Sequence, residues 1–297
     1  MYDVIIIGGG PAGITAAIYC ARYRLKTMMI AKEIGGTANK APQVDNFPSY
    51  PGVSGFELMM KFKKHLDIYK EVENIYDEAI AIAKNLEITT KTNKKYKARV
   101  IIFTTGMQKR KLNIPGEDEF LGKGVSYCAS CDAALYRGKE VAIAGSGDSA
   151  VKAAILIAEY AKNVYLISRG DKLKAEPLNI ITMNKAKNIH IIYNANIIKI
   201  MGKKFVEAIE LDNGKNVKMD GIFIEIGSIP STDLLKQVDV KLDENNYVKV
   251  NKKMETNING IYAAGDITDN PFKQIITACG EGAVAAWSAY YYLKKEE

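Results

Sequence analysis

Near its start the chain reads Val4-Ile5-Ile6-Ile7-Gly8-Gly9-Gly10-Pro11-Ala12-Gly13. The four apolar residues predict a short buried strand, and the glycines that follow have the G-x-G-x-x-G spacing of a phosphate-binding turn. Gly8 allows the tight turn, Gly10 lets a pyrophosphate approach the backbone, and Gly13 lets the next helix pack closely on the strand. Ile14–Tyr23 predicts that helix and Thr27–Ile30 a second strand. The stretch therefore predicts a dinucleotide-binding unit with phosphates at the helix N-terminus.

The same pattern recurs in the middle of the chain. Val141–Ala144 predicts a strand, and Val151–Tyr160 and Val164–Ile167 predict a helix and another strand. The turn between the first strand and the helix is Gly145-Ser146-Gly147-Asp148-Ser149-Ala150, a G-x-G-x-x-A sequence. Two such turns in full strand–turn–helix context predict two dinucleotide sites, whereas one alone would be weak evidence. The expected fold is α/β with two Rossmann-like three-layer domains. The alternative is that both turns only pack unrelated α/β units.

Two segments predict the points where the chain passes between these domains. Leu112–Gly116 follows a strand that ends in a Thr-Thr-Gly turn, and Val238–Leu242 precedes a polar turn. We therefore predict an outer domain built from residues 1–111 and 244–297. The second domain, residues 112–243, is inserted within it. Low-complexity linkers are absent from the sequence, so each crossing is expected to be a short extended segment.

The composition is that of an ordinary globular protein. The chain has 297 residues, of which 47% are hydrophobic and 25% charged, and no apolar run approaches the roughly 18 residues of a membrane span. It begins directly with a strand instead of a signal sequence, which predicts a cytoplasmic protein. The net charge of +7 comes from scattered lysines. Because they form no basic stripe or known binding module, nucleic-acid binding is disfavoured, while an acidic protein partner stays open.

The stretch Cys128-Ala129-Ser130-Cys131-Asp132 lies between the two glycine turns. Two thiols separated by two residues can close a small disulfide and reopen it. At the start of a helix the thiolate is favoured by free N–H groups and the helix dipole. The adjacent carboxylate can give a proton to a leaving thiolate or take one back. In a reducing cytoplasm such a pair is more often catalytic or metal-binding than structural.

A zinc site is the alternative for this pair, and the rest of the sequence disfavours it. Zinc needs about four ligands, but the remaining candidates are not arranged as a second spaced pair. Cys20 and Cys279 lie in apolar helical runs and are expected to be buried. His65 lies in a charged helical pattern and His190 in a strand-like run, where each is expected to serve packing or solvation. We therefore predict a redox pair and no metal.

Together these features resemble those of the low-molecular-weight thioredoxin reductases, which are two-domain FAD- and nicotinamide-dependent disulfide oxidoreductases. The likeness runs nearly end to end. It is carried by the two glycine turns and the cysteine pair with its aspartate. It is also carried by Gly35-Gly36, Val44-Asp45-Asn46-Phe47-Pro48, Thr105-Gly106, Ala264-Gly265-Asp266 and Gln274.

The resemblance implies that FAD binds in the outer domain. The N-terminal glycines would hold its pyrophosphate, Gly35, Gly36 and Asn46 would line the flavin region, and Asp266 would bond the ribityl chain. The backbone around Gln274 and Ile275 would meet the isoalloxazine. For Asp266 the alternative is a helix cap or turn former. The full set implied for FAD is Gly8, Gly10, Pro11, Ala12, Gly13, Gly35, Gly36, Thr37, Asn46, Thr105, Gly106, Gly265, Asp266, Gln274 and Ile275.

The resemblance also assigns roles to the cysteine pair. Cys131 would face the flavin, Cys128 would attack the partner disulfide, and Asp132 would donate and accept the proton. The implied partner is thioredoxin or another thioredoxin- or glutaredoxin-like protein. The inserted domain would swing between two orientations, and the chain would form a homodimer through its FAD domains.

The nicotinamide site departs from the family pattern. The resemblance implies a set of Gly145, Gly147, Asp148, Ser149, Arg169 and Lys174. NADPH-dependent relatives carry a His-Arg-Arg cluster after the strand that follows the second turn, with another Arg four positions later. This chain has Ser168-Arg169-Gly170 and then Lys174. Lysine cannot copy the two-pronged grip of arginine on a 2′-phosphate, and the acidic residue typical of NAD sites is also missing.

Several donor hypotheses therefore stay open. NADPH is the expected donor, used weakly or together with NADH, and the alternative is a different donor, either NADH or a deazaflavin. The basic residues Arg169 and Lys174 could also be simply solvated. The weakened basic cluster leaves open a protein of another class, a flavin-binding sensor or partner-binding protein that has lost its electron donor. The reductase arm of a peroxidase system is a related enzyme hypothesis. A ferredoxin–NADP reductase is disfavoured, because that branch lacks the cysteine pair.

Overall fold

The computed structural model describes residues 1–41 and 43–295 and divides the chain into two compact units. Residues 1–108 and 229–297 form the first unit, and residues 109–228 form the second. The second unit is thus inserted into the first along the chain. Residues 296 and 297, which the sequence analysis included in the outer domain, lie outside the described residues.

The strands number seventeen within residues 1–41 and 43–295. In chain order they are β1 Tyr2–Ile7, β2 Thr27–Ala31, β3 Glu73–Tyr76, β4 Ala79–Ile82, β5 Glu87–Thr90, β6 Lys95–Phe103, β7 Met107–Lys109, β8 Val125–Ser126, β9 Glu140–Ala144, β10 Asn163–Ile167, β11 Ile189–Ile192, β12 Ile197–Gly202, β13 Val206–Leu211, β14 Asn216–Lys218, β15 Gly221–Ile224, β16 Ser228–Pro230 and β17 Ile261–Ala263.

Seven α-helices accompany them in the described part of the chain. They are α1 Pro11–Arg22, α2 Gly55–Leu66, α3 Ala129–Asp132, α4 Asp148–Ala158, α5 Pro177–Met183, α6 Asp233–Lys236 and α7 Ile275–Lys295. Two 3₁₀ turns, Gly36–Lys40 and Ala133–Tyr136, complete the elements. The predicted strands and helices around both glycine turns are all present, with bounds that differ from the prediction by at most three residues.

The first unit is built on a sheet in the order β3-β2-β1-β6-β5-β4, with β17 also paired to β6. Strand β1 is parallel to both neighbours, and Ile7 at its end pairs with Ile30 and Phe103. Because parallel strands end at the same edge, the loops after β1, β2 and β6 meet there. Helices α1 and α7 contribute buried alanines to one hydrophobic cluster on this sheet.

The second unit contains a parallel sheet in the order β11-β10-β9-β15-β8 and a three-stranded antiparallel sheet, β12-β13-β14. The second glycine turn follows β9, and the cysteine pair follows β8 closely. Both strands pair in parallel with β15. The carboxyl edge of this one sheet therefore carries the glycine turn and the redox pair.

The second predicted domain boundary, between residues 243 and 244, is wrong. Residues 229–243 belong to the first unit because Leu235, Val238 and Val240 are buried in the same cluster as Ile5 of the first sheet. The chain crosses instead at β16, which pairs with β7 in a two-stranded sheet. The first crossing falls at residues 108–109, where 111–112 was predicted.

Of the helices in residues 1–41 and 43–295, none is long and apolar enough to span a bilayer.

Gly282 of helix α7 provides a test of the α1–α7 contact. A Cβ at this position would lie 2.2 Å from the backbone oxygen of Ala12, and backbone cannot easily yield. We expect Gly282→Ala to destabilise the protein by about 1–3 kcal/mol, measured by urea unfolding. Gly280→Ala in the same helix is the matched control, since no atom lies within 4 Å of its Cβ position. The control should gain up to about 1 kcal/mol from helix propensity, and equal effects of the two variants would contradict this packing.

Candidate functional site

The first glycine turn is closed to side chains at its ends and open in its middle. Gly8 has φ +118, and its Cβ position lies 2.3 Å from the carbonyl oxygen of Thr104. The Cβ position of Gly13 lies 2.0 Å from the carbonyl oxygen of Gly8. No atom lies within 4 Å of the Cβ position of Gly10. The turn thus leaves free space at the point where the sequence predicts that a pyrophosphate approaches.

Other residues of the predicted FAD set surround this open position. The Cβ position of Gly36 lies 3.5 Å from the Cα atom of Gly10, and that of Gly265 lies 3.0 Å from the Cβ atom of Ala12. Both glycines have positive φ, +55 and +83. Pro11 is the first residue of α1, and Thr37 lies in the 3₁₀ turn that Gly36 begins. The structure therefore brings the β1, β2 and β17 loops together here.

A second group of predicted residues is joined by hydrogen bonds across long sequence distances. The side-chain amide of Asn46 donates to Gln274 Oε1 over 2.9 Å. The hydroxyl of Thr105 donates to the carbonyl oxygen of Ser231 over 2.8 Å, and the Ser231 N–H donates to Gly106 over 3.0 Å. Gln274 immediately precedes helix α7. The described contacts do not join Thr105 and Gly106 to Asn46, so this group consists of two separate pairings.

Asp266 is half-buried, and its surroundings perturb its proton affinity. Burial raises the pKa of Asp266, the nearby cation of Lys273 lowers it, and the carboxylate of Glu281 raises it. Lys273 is itself held against the ring of Tyr247, with 4.5 Å from its Nζ to the ring centroid. A half-buried carboxyl group beside the open turn has the chemistry needed to accept hydrogen bonds from ligand hydroxyls.

Glu281 was missed by the sequence analysis and organises this loop. Its carboxylate accepts hydrogen bonds from the Gly265 N–H at 2.8 Å, the Thr268 hydroxyl at 3.0 Å and the Asn270 amide at 2.9 Å. The available signal was an acidic residue between Gly280 and Gly282, the one acidic residue in the stretch 275–295. Glu281 therefore fixes the backbone that carries Asp266.

The second glycine turn has the same construction. Gly145 has φ +147, and its Cβ position lies 2.3 Å from the carbonyl oxygen of Glu225. No atom lies within 4 Å of the Cβ position of Gly147. The backbone N–H of Lys174 donates to the Ser146 carbonyl over 2.7 Å, so the predicted Lys174 lies beside the turn. Asp148, which follows Gly147 in the turn, begins helix α4.

The carboxylate of Asp148 is engaged with the protein. It accepts hydrogen bonds from the Asn179 amide at 2.7 Å and the Glu176 N–H at 3.1 Å, and it pairs with Lys152 at 2.7 Å. Burial acts to raise the pKa of Asp148, but these hydrogen bonds and the lysine outweigh it and lower the pKa. Asp148 thus holds the segment that begins α5 against the turn.

The end of strand β10 offers few groups to a 2′-phosphate. Ser168 is fully buried, and its hydroxyl donates to the Gly170 carbonyl at 3.1 Å and accepts from the Gly170 N–H at 3.3 Å. Arg169 and Lys174 are both exposed, as is the predicted Ser149. This arrangement offers one guanidinium and one ammonium at the surface, which is less than a two-pronged phosphate clamp.

The cysteine pair forms a disulfide in this structure, with a Cα–Cα distance of 5.3 Å. Cys128 is the N-cap of α3 and half-buried, whereas Cys131 is exposed. The N–H groups of Cys131 and Asp132 donate to the Cys128 carbonyl at 3.3 and 3.2 Å. Helix α3 has only four residues. The thiolate stabilisation expected at its start must therefore come from local N–H groups more than from a long dipole.

Asp132 is held by Ser126, which the sequence analysis did not identify. The Ser126 hydroxyl donates to Asp132 Oδ2 over 2.6 Å and accepts from the Cys128 N–H over 3.0 Å. Tyr136 lies near the same carboxylate: burial and then the charge of Asp132 raise the pKa of Tyr136. The acid of the predicted redox motif is thereby fixed beside the disulfide.

The two remaining cysteines are not activated. Cys20 is buried, and burial raises the pKa of its thiol to about 12. Cys279 is only half-buried, so the prediction that it is buried is wrong, although burial still raises its pKa. His65 and His190 lie on α2 and β11 as expected. Residues 1–41 and 43–295 contain no group of three or more His, Cys, Asp or Glu side chains suited to a metal ion.

Comparison with known proteins identifies the family. The family model for pyridine nucleotide-disulphide oxidoreductases matches residues 2–282. Thioredoxin reductase of Bacillus subtilis is 35% identical, covering 99% of this chain and 96% of that protein. The solved thioredoxin reductase of Lactococcus lactis is 35% identical with a TM-score of 0.92, covering 99% and 100% of the two chains. A ferredoxin-flavin thioredoxin reductase from Clostridium acetobutylicum is 36% identical with a TM-score of 0.52, covering 99% and 98%.

The chain belongs to the pyridine nucleotide-disulphide oxidoreductase family. Within it the chain is a flavin-dependent oxidoreductase of the low-molecular-weight thioredoxin reductase group, which confirms the resemblance and the α/β fold class predicted from the sequence.

The raised pKa of Asp266 generates a pH prediction for the flavin-free protein. The folded state binds this proton more tightly than the unfolded chain does. Its contribution to stability is therefore complete below the unfolded carboxyl pKa of about 3.9 and is lost as pH rises through the folded pKa. We expect Asp266→Asn to remove this loss, so that the free energy of unfolding falls less between about pH 4 and pH 7 than in the wild type.

Urea unfolding at several pH values measures this difference. Asp269→Asn, at a neighbouring exposed carboxylate, serves as the control and should keep the wild-type slope. A slope for Asp266→Asn equal to that of the wild type would show that the carboxyl does not carry this effect.

Proposed function

We propose that this protein is a thioredoxin-disulfide reductase. It would pass electrons from a reduced donor through FAD to the Cys128–Cys131 disulfide and then to a disulfide of thioredoxin or a thioredoxin/glutaredoxin-like protein. The observation that carries the proposal is the closed Cys128–Cys131 disulfide with Asp132 held beside it, in a chain that also has two open glycine turns. Relatives named thioredoxin reductase over nearly the whole chain support it.

The residues of the first unit fit FAD. The empty space at Gly10 would admit the pyrophosphate, with Ala12, Gly36 and Gly265 around it. Asp266 would accept a hydrogen bond from the ribityl chain, and Asn46 and Gln274 would line the flavin region, as the resemblance implies. When bound, FAD would supply the two-electron chemistry that connects the donor to the disulfide.

The second unit would carry out thiol–disulfide exchange. After reduction, the Cys128 thiolate would attack the substrate disulfide and release one substrate thiolate, which Asp132 would protonate. The Cys131 thiolate would then attack Cys128 Sγ, re-form the internal disulfide and release the second substrate thiolate. Two electrons pass to the substrate. The Ser130 hydroxyl, 3.4 Å from Cys128 Sγ, is placed to hydrogen-bond the attacking sulfur. Cys131 would be the sulfur that accepts electrons from the flavin.

A reduced nicotinamide, in the first place NADPH, is the proposed donor. The family match and the open turn at Gly147 support a nicotinamide dinucleotide, and the exposed Arg169 and Lys174 would attract its 2′-phosphate. Ferredoxin is a second candidate donor. The sparse phosphate-binding groups after β10 favour it, and so does the 36% identity to a ferredoxin-flavin thioredoxin reductase.

We also propose a cytoplasmic homodimer. A redox pair of this kind is typical of reducing compartments. The resemblance implies dimerisation through the first unit, where helices α1 and α7 expose the aromatic residues Tyr19, Trp287 and Tyr291. Exposed aromatic groups of this kind are enriched in interfaces. Sedimentation velocity would distinguish the dimer from a monomer.

The proposed exchange predicts the effect of removing either sulfur. Cys128→Ser and Cys131→Ser should each abolish thioredoxin reduction, because neither can complete the two-step exchange. Both variants should retain bound FAD, measured by the flavin absorbance of the purified protein. Cys279→Ser is the matched control. It should keep full activity, because Cys279 is a free cysteine on α7 and is not part of the redox pair. Full turnover in either variant of the pair would remove the proposed roles.

Anaerobic mixing with candidate donors tests the electron source. With one exposed guanidinium and one ammonium at the phosphate position, we expect NADPH to bleach the flavin slowly and to be favoured over NADH by about tenfold at most. Arg169→Ala should reduce the NADPH rate while leaving the NADH rate unchanged. If neither NADPH nor NADH bleaches the flavin and reduced ferredoxin bleaches it rapidly, the donor is ferredoxin and not a nicotinamide.

A further inference from the structure

We propose that Ser126 is a positioning residue for proton transfer at the redox pair. Its hydroxyl holds the carboxylate of Asp132 beside the Cys128–Cys131 disulfide and links the protonation of that carboxylate to the backbone of Cys128. This inference rests on the proposed function, because it takes Asp132 as the acid of thiol–disulfide exchange.

Ser126 is placed by the sheet and not by the redox loop. It ends strand β8, where it pairs with Phe223 of the neighbouring strand β15, and only 5% of its surface is exposed. Phe223 itself is fully buried. The Ser126 hydroxyl therefore projects from a buried strand residue, and groups that bond to it take their position from the sheet.

The hydroxyl joins two parts of the redox motif. It donates to Asp132 Oδ2 over 2.6 Å and accepts from the Cys128 N–H over 3.0 Å. The acid and the first cysteine are four residues apart in sequence, yet both are bonded to one oxygen atom. Tyr136 does not compete for the carboxylate, because its hydroxyl donates to the Gly124 carbonyl over 3.2 Å.

A serine hydroxyl has a single proton, which it can donate in only one direction at a time. While Asp132 is ionised, that proton points to the carboxylate. Once Asp132 is protonated, the carboxylic acid can donate to Ser126 instead, and the serine proton can turn to the Cys128 carbonyl, 3.4 Å from Ser126 Oγ. The gain or loss of a proton at Asp132 therefore changes the hydrogen bonding of Cys128 without moving the loop.

A simple packing role for Ser126 would have a different consequence. If the hydroxyl only satisfied a buried N–H group, its removal would disturb both cysteines regardless of the leaving group. If it positions the acid, its removal should matter only when the leaving thiolate needs a proton. Leaving groups of low pKa depart without protonation, whereas ordinary thiols benefit from a general acid.

The experiment uses flavin-loaded enzyme whose disulfide has been reduced anaerobically with dithionite. The reduced pair is mixed with excess glutathione disulfide, whose leaving thiol is ordinary, or with 5,5′-dithiobis(2-nitrobenzoate), whose leaving thiol is strongly acidic. Oxidation of the pair is followed by acid quench and by counting free Cys128 and Cys131 thiols with an alkylating reagent and mass spectrometry. The variants are Ser126→Ala, Ser126→Thr, Asp132→Asn and the double variant Ser126→Ala/Asp132→Asn.

We expect Ser126→Ala to slow reduction of glutathione disulfide by about tenfold or more. The same variant should change the rate with 5,5′-dithiobis(2-nitrobenzoate) by less than about twofold. Ser126→Thr keeps the hydroxyl and should restore the glutathione disulfide rate. In the Asp132→Asn background, Ser126→Ala should have no further effect, because both changes remove the same step.

Equal slowing with both disulfides would overturn the proposal and leave Ser126 with a packing role. Additive effects of Ser126→Ala and Asp132→Asn would also overturn it. A glutathione disulfide rate unaffected by Asp132→Asn would instead show that the proposed acid is wrong, and the inference about Ser126 would fall with it. If Asp132→Asn slows the reaction with glutathione disulfide but Ser126→Ala does not, the inference about Ser126 is refuted while the proposed function stays intact.

Discussion

The close approach of backbone to backbone at the end of strand β1 is the constraint on which the first unit depends. The Cβ position of Gly13 would lie 2.0 Å from the Gly8 carbonyl oxygen, and that of Gly8 would lie 2.3 Å from the Thr104 carbonyl oxygen. The Thr104 hydroxyl oxygen also lies 3.0 Å from the carbonyl oxygens of both Ile7 and Gly8, either of which can accept its single proton. Only glycine permits this contact, which holds the turn before α1 against the backbone at the end of β6. The second unit repeats the device at Gly145, which approaches Glu225.

These contacts bring residues from distant parts of the chain to one edge of each sheet. In parallel sheets the carboxyl ends of neighbouring strands are adjacent, so each loop that leaves an end can contribute to a shared site. Gly10, Gly36 and Gly265 come from three different loops of the first unit and lie around the same open space. In the second unit the glycine turn and the redox pair leave strands on either side of β15.

Two carboxylates, the half-buried Glu281 and the buried Glu117, each fix a nearby loop. Glu281 holds the backbone before Asp266, as described above. Glu117 acts similarly in the second unit: it is 2% exposed and accepts from the N–H groups of Leu112 at 2.9 Å and Asn113 at 2.6 Å. The hydroxyl of Tyr127 also donates to Glu117, and burial together with this hydrogen bond raises the pKa of Tyr127. Because a carboxylate that is removed from water needs several donors, each of these residues fixes the backbone of the loop that supplies the donors.

The sequence by itself determined the α/β class, the two glycine turns, the redox pair and the order of the nearby elements, because these follow from local spacing and from the conformational limits of glycine. Tertiary structure alone decided the second unit boundary, since the burial of Leu235 and Val240 against the first sheet leaves no local pattern. It also decided the parts played by Glu281 and Ser126, whose partners lie on other elements or across a turn. Spacing along a chain records which conformations are allowed, whereas hydrogen bonds between distant residues depend on where folding places them.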